Sequence, residues 1–276
     1  MPTPAEATAW VAAGIPGMLS VVIPAHNERE NLRPTITALA IALDEAGINY
    51  EILVVNDHSS DESEAELFAL EREVPALRHV TNRDSGGFGF AVRAGLEAFR
   101  GDRVAIVMAD SSDDPNDVVK FHTKMNEGYD CVFGTRFRRG GKVVDYPPHK
   151  LVLNRLVNLF IRLLFQLRTN DTTNAFKCYR REVIAGVQPI LSHHFNLTVE
   201  LPLKAIIRGY SYAVVPNAWY NRKVGFSKLR IREMGSRYLF IILYCLIERH
   251  LSRGDYRRER SDSHKPREIP PSAEMP

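Results

Sequence analysis

The sequence predicts an α/β fold in which a mostly parallel central sheet carries helices on both faces. Two observations support this prediction: short apolar segments recur along the first half of the chain, and segments with apolar residues at helical spacing separate them. Continuous apolar runs are typical of strands buried on both faces, and strands that alternate with helices are typical of parallel sheets. The predicted strands comprise residues 19–23, 51–55, 77–81, 104–108 and 131–134.

Each predicted helix in the first half follows a polar or glycine-rich loop that ends a strand. Pro24 stops the first strand, and apolar residues then recur at helical spacing over 28–43. An acidic helix is predicted over 61–73, and another helix over 90–99 after the glycine-rich loop 85–89. Beyond residue 135 the chain becomes basic, and a longer helix is predicted over 150–167. The sequence indicates neither an internal repeat nor a second independent domain.

Length, charge and cysteine content limit the classes of protein. The 276 residues include 36 Lys and Arg against 33 Asp and Glu, a net charge of +3, so no nucleic-acid partner is predicted. Cys131, Cys178 and Cys245 form no Cys-x-x-Cys pair, which argues against a zinc or redox site and fits a reducing compartment. The first residues lack the basic start of a secretory signal, and the apolar run 238–247 is too short to span a bilayer. We therefore predict a cytoplasmic protein.

Carboxylates follow three of the predicted strands. Glu28 lies after the first strand, Asp57 after the second and Asp110 after the fourth. Ligands of parallel sheets bind beyond the carboxyl ends of the strands, so we expect these side chains near one site. Mg²⁺ and Mn²⁺ prefer oxygen ligands and take one or two carboxylates plus substrate phosphates. Asp110, at the end of a buried strand, is the predicted metal ligand.

Structural roles are the alternative for each of these loops. Glu28 could act as a favourable charge in the first turn of a helix, and the loop at Asp57 could form an Asx turn and cap. Asp113 and Asp114 could cap the helix that continues through residues 118 and 119.

Two further motifs carry little functional information. The glycine-rich loop has Val92 where a dinucleotide-binding fingerprint needs its third glycine. His193 and His194 are neighbours whose side chains point apart on a helix or a strand, so we interpret them as structural or surface residues.

The order of the acidic loops resembles that of the family 2 glycosyltransferases of the GT-A fold, in particular the polyprenyl-phosphate mannosyltransferase and glucosyltransferase branch. The resemblance runs over residues 19–251. Residues 22–32 resemble the family's nucleotide-binding signature, and residues 171–176 resemble the segment whose Asp lies near the reacting sugar. The most specific signal is residues 222–228, which read Arg-x-x-Gly-x-Ser-Lys.

This resemblance implies how the chain is divided. Residues 18–235 would form the GT-A catalytic domain, preceded by an N-terminal extension over 1–17. Residues 236–251 would form an interfacial C-terminal helix, and the charged tail 252–276 is expected to be disordered.

The resemblance also implies roles on the donor side of the site. The nucleotide contacts would be Pro24, Ala25, Glu28, Asp57 and Asp110. The family's Asp-x-Asp metal motif reads Met-Ala-Asp over 108–110, so only its second carboxylate is present. A divalent Mg²⁺ or Mn²⁺ would therefore be held by Asp110, Ser112 and the diphosphate, with Asp113 as a substitute ligand.

Basic groups and further carboxylates complete the implied site. Arg222 and Lys228 would bind the leaving diphosphate, because Arg grips phosphate bidentately and Lys adds a point charge. Arg136 and Lys150 would hold a phosphate acceptor. Asp171 and Glu200 would orient the sugar hydroxyls. The implied catalytic residues are Asp110, Asp171 and Arg222.

The implied reaction is inverting transfer of a hexose, with mannose as the leading choice, from a nucleotide-diphosphate sugar to a polyprenyl phosphate. A lipid acceptor requires contact with a bilayer. The predicted helix over 150–167 carries more apolar surface than one buried stripe needs, interrupted by Arg155 and Arg162, as in interfacial helices. We expect peripheral attachment to the inner face of the membrane, with a homodimer interface as the alternative. The alternative functions are transfer to a saccharide hydroxyl and non-catalytic binding of a nucleotide sugar.

Overall fold

The computed structural model describes residues 14–221 and 231–258 of the chain. The strands are β1 (Ile15–Ala25), β2 (Tyr50–Asn56), β3 (Leu77–Thr81), β4 (Gly101–Ile106), β5 (Cys131–Thr135), β6 (Lys142–Val144), β7 (Lys177–Arg180), β8 (Tyr212–Pro216) and β9 (Ala218–Tyr220). The helices are α1 (Arg29–Glu45), α2 (Ser63–Glu73), α3 (Phe88–Ala98), α4 (Pro115–Asn126), α5 (Pro148–Phe165), α6 (Arg181–Gly186), α7 (Leu197–Ile207) and α8 (Ile231–Leu251). Each strand predicted from the sequence is present, with bounds that differ by a few residues.

The central sheet has seven strands in the order β3-β2-β1-β4-β7-β5-β8. All neighbours pair in parallel except β7, which runs antiparallel to both β4 and β5. The prediction of a mostly parallel sheet is therefore confirmed. A separate small sheet joins β6 and β9 in parallel and lies beside the carboxyl end of β4, since Tyr220 donates its backbone N–H to the Ser112 carbonyl over 2.9 Å.

Helices cover both faces of the sheet, as predicted. Successive side chains of a strand point to opposite faces, so one strand contributes to two buried clusters. Val21 and Ile23 of β1 pack in one buried cluster with α1, α2 and α4. Val22, between them, packs in the other cluster with α3, α6 and α7. A third buried cluster joins α5, α7 and α8. Contacts with α7 and α8 thereby hold α5 against the rest of the domain.

The ends of the described chain differ from the predicted boundaries. β1 begins at Ile15, so residues 15–17 belong to the sheet and not to an extension. Residues 252–258 were expected to be part of a disordered tail, but they fold back onto the domain. There Arg258 donates its backbone N–H to the Arg208 carbonyl (2.9 Å), and its guanidinium contacts Asp130 at 3.0 Å. Residues 1–13 and 259–276 lie outside the described residues.

Candidate active site

A cavity of about 670 Å³ lies at the carboxyl ends of β1, β2 and β4, where the sequence predicted a site. Its walls come from loops on both halves of the chain and from α5 and α8. The lining side chains with polar or aromatic groups include His26, Glu28, Asp57, His58, Asp110, Ser112, Asp113, Arg136, Tyr146, Asn154, His194, Trp219, Arg237 and Tyr238. Pro24 and Ala25 also line it. Acidic, basic and aromatic groups thus line one cavity.

The first two acidic loops reach this cavity in the predicted way. Glu28 occupies the N-cap position of α1, but its carboxylate makes no capping hydrogen bond and instead accepts one from the Asn31 amide at 2.7 Å. Asp57 accepts from the Asn82 amide at 2.7 Å and from the Gly87 backbone N–H at 2.8 Å. Its carboxylate therefore fixes the glycine-rich loop while it lines the cavity.

The glycine-rich loop packs against the loop at residues 191–196. Gly89 donates its backbone N–H to the His193 carbonyl (3.0 Å), and a Cβ at this glycine would lie 2.4 Å from the His193 carbonyl carbon. Phe88 and Phe195 stack with their ring centroids 4.4 Å apart. His193 stacks on Phe90, which agrees with its structural interpretation. His194 lines the cavity.

The third acidic loop follows β4. One of its carboxylates caps a helix, and two others line the cavity. Asp114 is the N-cap of α4, where it accepts from the Asn116 backbone N–H at 2.9 Å. Asp110 and Asp113 both line the cavity and are buried. Burial raises the pKa of Asp113 to about 7, with a further rise from the charge of Asp110 nearby. Two carboxylates this close favour a cation between or beside them.

The donor atoms of this loop fit a hard divalent cation. The Ser112 hydroxyl is buried and has no hydrogen-bond partner among the described residues, although its own backbone N–H donates to Asp110 at 3.2 Å. An oxygen atom in this state is available as a ligand. No cluster of three His, Cys, Asp or Glu side chains suited to a metal occurs in the described part of the chain. Such a cation would therefore depend on substrate oxygens, as Mg²⁺ commonly does.

Arg136, which lines the cavity, forms a buried ion pair with Asp171. The Arg136 guanidinium donates to the two Asp171 carboxylate oxygens at 2.8 and 2.7 Å, and its backbone N–H donates at 3.0 Å. Burial alone would lower the pKa of Arg136, but the adjacent Asp171 raises it above its ordinary value. The Asp171 side chain is 0% exposed and does not line the cavity, whereas Arg136 does. Asp171 is thus placed behind Arg136, where it cannot reach a sugar in the cavity.

Glu200 and Lys150 also fall away from the cavity walls. Glu200 of α7 is fully buried, accepts from the backbone N–H groups of Leu191 and Ser192 at 2.7 Å, and pairs with Lys204 at 2.5 Å. Its carboxylate fixes the 191–196 loop and has no access to a sugar. Lys150 is partly exposed in the first turn of α5 and does not line the cavity, which Asn154 one turn later does. Arg222 and Lys228 lie outside the described residues.

The buried Glu200–Lys204 pair predicts a large effect on stability. We expect Lys204→Met to lower the free energy of unfolding by about 3–5 kcal/mol, because it leaves a buried carboxylate without its partner. Urea denaturation followed by circular dichroism measures this. Lys124→Met is the matched control, since Lys124 pairs with Glu127 at 2.7 Å on the surface, and it should cost under about 1 kcal/mol. Equal and small losses for both variants would contradict the role given to Glu200.

Sequence reasoning missed several residues of the cavity. Arg237 and Tyr238 come from α8, which was predicted only as a membrane-facing helix. Tyr146 and Trp219 come from the segments around the β6–β9 sheet, with ring centroids 4.8 Å apart. The proximity of these residues to the acidic loops depends on long-range pairing, so no local motif marks them.

The sheet order and the acidic loop after β4 define the chain as an α/β protein of the GT-A glycosyltransferase fold. It is similar to glucosyl-3-phosphoglycerate synthase from Mycobacterium tuberculosis, solved in complex with uridine-diphosphate. The TM-score is 0.62 and the identity 18%, over 90% of this chain and 84% of that one. The same synthase with Mn²⁺, uridine-diphosphate and glucosyl-3-phosphoglycerate gives a TM-score of 0.63 at 18% identity, over 90% and 85%. At this identity the likeness shows the fold alone.

Residues 20–187 match the model of the family described as Glycosyl transferase family 2, and the chain belongs to this family. It is therefore a glycosyltransferase. It is 34% identical over 222 residues to polyprenol monophosphomannose synthase of Mycolicibacterium smegmatis, which covers 77% of this chain and 82% of that protein. It is 31% identical over 217 residues to dolichol-phosphate mannosyltransferase of Pyrococcus furiosus, covering 77% of this chain and 59% of the relative.

Proposed function

We propose that the protein transfers a mannosyl group from a nucleotide-diphosphate sugar to a polyprenyl phosphate at a membrane surface, with inversion at the anomeric carbon. The observation that carries the proposal is the set of groups that line one cavity. It brings together the carboxylates that follow β1, β2 and β4, the Arg136 guanidinium, and residues of two helices with exposed apolar faces. The names of the two sequence relatives support this choice of sugar and acceptor.

The donor would bind to the acidic loops. Pro24, Ala25 and Glu28 form the wall after β1, next to Asp57, and would contact the base and ribose. The Asp57 carboxylate already accepts two hydrogen bonds from the protein, so the geometry of this wall is fixed before the nucleotide binds. A preformed wall reduces the entropy lost on binding.

A divalent cation would be held by Asp110 and Ser112, with Asp113 close enough to take part. Such a cation, Mg²⁺ or Mn²⁺, neutralises negative charge that grows on a leaving diphosphate. The Arg222 and Lys228 side chains would add positive charge to the same group. The Ser112 hydroxyl without a partner among the described residues supports this assignment.

The acceptor phosphate would bind at Arg136. A lipid monophosphate is already anionic near neutral pH, so it needs positive charge to hold it more than it needs a base. An acceptor oxygen attacks the anomeric carbon as the bond to the diphosphate breaks, and the nucleoside diphosphate leaves. Arg136 supports this step because Asp171 engages its Nε and Nη2, which leaves Nη1 without a hydrogen-bond partner among the described residues. The placement of Asp171 argues against its use as a base.

The exposed faces of α5 and α8 would contact the bilayer. None of the helices in the described ranges is both long and apolar enough to cross a membrane. An exposed apolar surface that extends along two helices marks an interaction site. Arginines beside it, such as Arg155 and Arg162, suit lipid headgroups. The exposed apolar side chains are Val152, Leu153, Leu156, Leu159, Phe160 and Leu163 on α5, and Leu239, Phe240, Leu243, Ile247 and Leu251 on α8. A homodimer through the same faces is the alternative.

A transfer assay tests the proposal. Purified protein would be incubated with a panel of GDP- and UDP-sugars, with and without polyprenyl phosphate and with Mg²⁺, Mn²⁺ or a chelator. We expect a mannosyl lipid phosphate and release of nucleoside diphosphate only when lipid phosphate and cation are both present. Turnover on a saccharide without lipid phosphate would contradict the acceptor. Tight nucleotide-sugar binding without turnover under every condition would contradict the catalytic assignment.

A further inference from the structure

Lys177, the first residue of β7, carries an amine that is buried behind the cavity. The residue is 1% exposed and does not itself line the cavity. Its ammonium donates to the backbone carbonyls of Thr172 (3.0 Å), Asn174 and Thr198 (3.2 Å). An ammonium has three N–H donors, so these neutral acceptors use all of them. Burial of a cation on neutral acceptors alone is unfavourable, which suggests that the charge has a use.

The carbonyls that Lys177 binds belong to the wall of the cavity. Residues 173–175 line it, and so does Thr198 in the first turn of α7. The ammonium thereby ties the loop after Asp171 to α7. On its other side this loop is held by α5, because the Asn154 amide donates to the Thr173 hydroxyl at 2.9 Å. Lys177 thus fixes one side of a loop that the cavity depends on.

The charge of Lys177 also reaches the Arg136–Asp171 pair. Asp171 raises the pKa of Lys177 and Arg136 lowers it, although burial has the largest influence and lowers it to about 7. Charges that influence each other in this way lie within electrostatic range in the low dielectric of the interior. When Lys177 is protonated, these three buried side chains hold two positive charges and one negative charge. The protonated amine therefore adds to the positive potential at the Arg136 guanidinium.

We infer that Lys177 is a positioning residue for the acceptor phosphate, whose buried ammonium holds the 172–175 loop and favours an anion at Arg136. The inference rests on the proposed function and goes beyond it by giving a role to a side chain that does not contact the substrate. A phosphate at Arg136 would stabilise the protonated amine, and by linkage the protonated amine would stabilise the bound phosphate to the same extent.

The direction of the pH dependence follows from this linkage. Lys177 is charged at pH values below its pKa of about 7 and loses its charge as the pH rises. A phosphate monoester is mostly doubly charged above about pH 7, so its own charge changes little there. The KM for the acceptor should therefore rise with pH. Burial raises the pKa of Asp113 to about 7 as well, so a variant is needed to isolate the effect of Lys177.

Steady-state kinetics at two pH values test the inference, with a short isoprenyl phosphate that dissolves in water as the acceptor. We expect Lys177→Met to raise the KM for this acceptor by about 10-fold at about pH 6.5 and by less than about 2-fold at about pH 9, because the amine is charged only at the lower pH. The KM for the nucleotide sugar should stay unchanged. Lys177→Arg keeps its charge at both pH values, so its KM for the acceptor should not rise with pH.

Lys124→Met is the matched control, because it removes the same charge from the surface of α4, where Lys124 pairs with Glu127. It should match the unmodified protein at both pH values, and unfolding midpoints show whether each variant folds. A KM of Lys177→Met raised by the same factor at both pH values would overturn the inference, since a purely structural role does not depend on the charge of the amine.

Two further results would overturn the inference even if Lys177→Met did not fold. One is a KM of the unmodified protein for the acceptor that stays constant between the two pH values. The other is a KM of Lys177→Arg that rises with pH as steeply as that of the unmodified protein, because another group would then cause the rise. Failure of the unmodified protein to use any lipid phosphate is a different result, which would overturn the proposed function.

Discussion

Replacement of Asp110 by asparagine is expected to lower kcat for sugar transfer by at least about 100-fold. Asparagine keeps the size of the side chain and an oxygen that can accept from the Ser112 backbone N–H, as Asp110 does at 3.2 Å. It removes the negative charge that a divalent cation requires. A lower kcat would therefore result from the missing charge and not from a changed shape of the loop. Release of nucleoside diphosphate, followed at saturating concentrations of both substrates, measures it.

The neighbouring loop position provides a control for this variant. Asp114→Asn removes the same charge four residues later, where the side chain caps α4 and does not line the cavity. Asparagine is an equally good N-cap, so stability and turnover should both be retained. If Asp110→Asn turned over at the normal rate, Asp110 would not hold the cation, and the donor end of the cavity would need a different assignment.

Asp171→Asn is expected to have the second large effect, a loss of about 100-fold in kcat/KM for the lipid phosphate. The Asp171 carboxylate is not expected to contact the substrate. It holds Arg136 through three hydrogen bonds, and without its charge the guanidinium is free to turn away from the phosphate. The variant should also lose about 3–5 kcal/mol of stability, because a buried cation remains without its partner.

A double-mutant cycle separates this positioning role from a direct contact with sugar. Arg136→Gln alone should lower kcat/KM at least as much as Asp171→Asn. If Asp171 acts only through Arg136, the double variant should be no less active than Arg136→Gln, and its loss of stability should be smaller than the sum of the two single losses. Losses in kcat/KM that multiply in the double variant would show that Asp171 contacts the sugar itself.

The donor half of the site could be predicted from the sequence because its signals are local. A buried strand, a break and a carboxylate occur together at Glu28, Asp57 and Asp110, and parallel strands bring their carboxyl ends to one edge. The same reasoning gave Asp113 and Asp114 as possible helix caps, and Asp114 caps α4. Periodicity was sufficient for the helices on both faces, because each buried face repeats within one element.

The acceptor half could not be predicted in the same way. The antiparallel β7 enters the sheet between β4 and β5, and this long-range pairing decides where residues 171–180 lie. It places Asp171 behind Arg136, which no spacing in the sequence indicates. The sugar role of Glu200 was implied by the resemblance, and only the fold shows that its carboxylate holds the backbone of Leu191 and Ser192. Arg237 was not predicted as a cavity residue, because the apolar run that follows it dominates the local sequence pattern.

We expect the carboxylates after β1, β2 and β4 to converge on one nucleotide diphosphate. The most direct test is a crystal structure with Mn²⁺ and a nucleoside diphosphate, in which the metal is located by its anomalous scattering. We predict an Mn²⁺ peak beside the Asp110 carboxylate, the diphosphate against it, and the nucleoside against Pro24, Glu28 and Asp57. A nucleotide bound outside this cavity, or an Mn²⁺ peak remote from Asp110, would contradict the account.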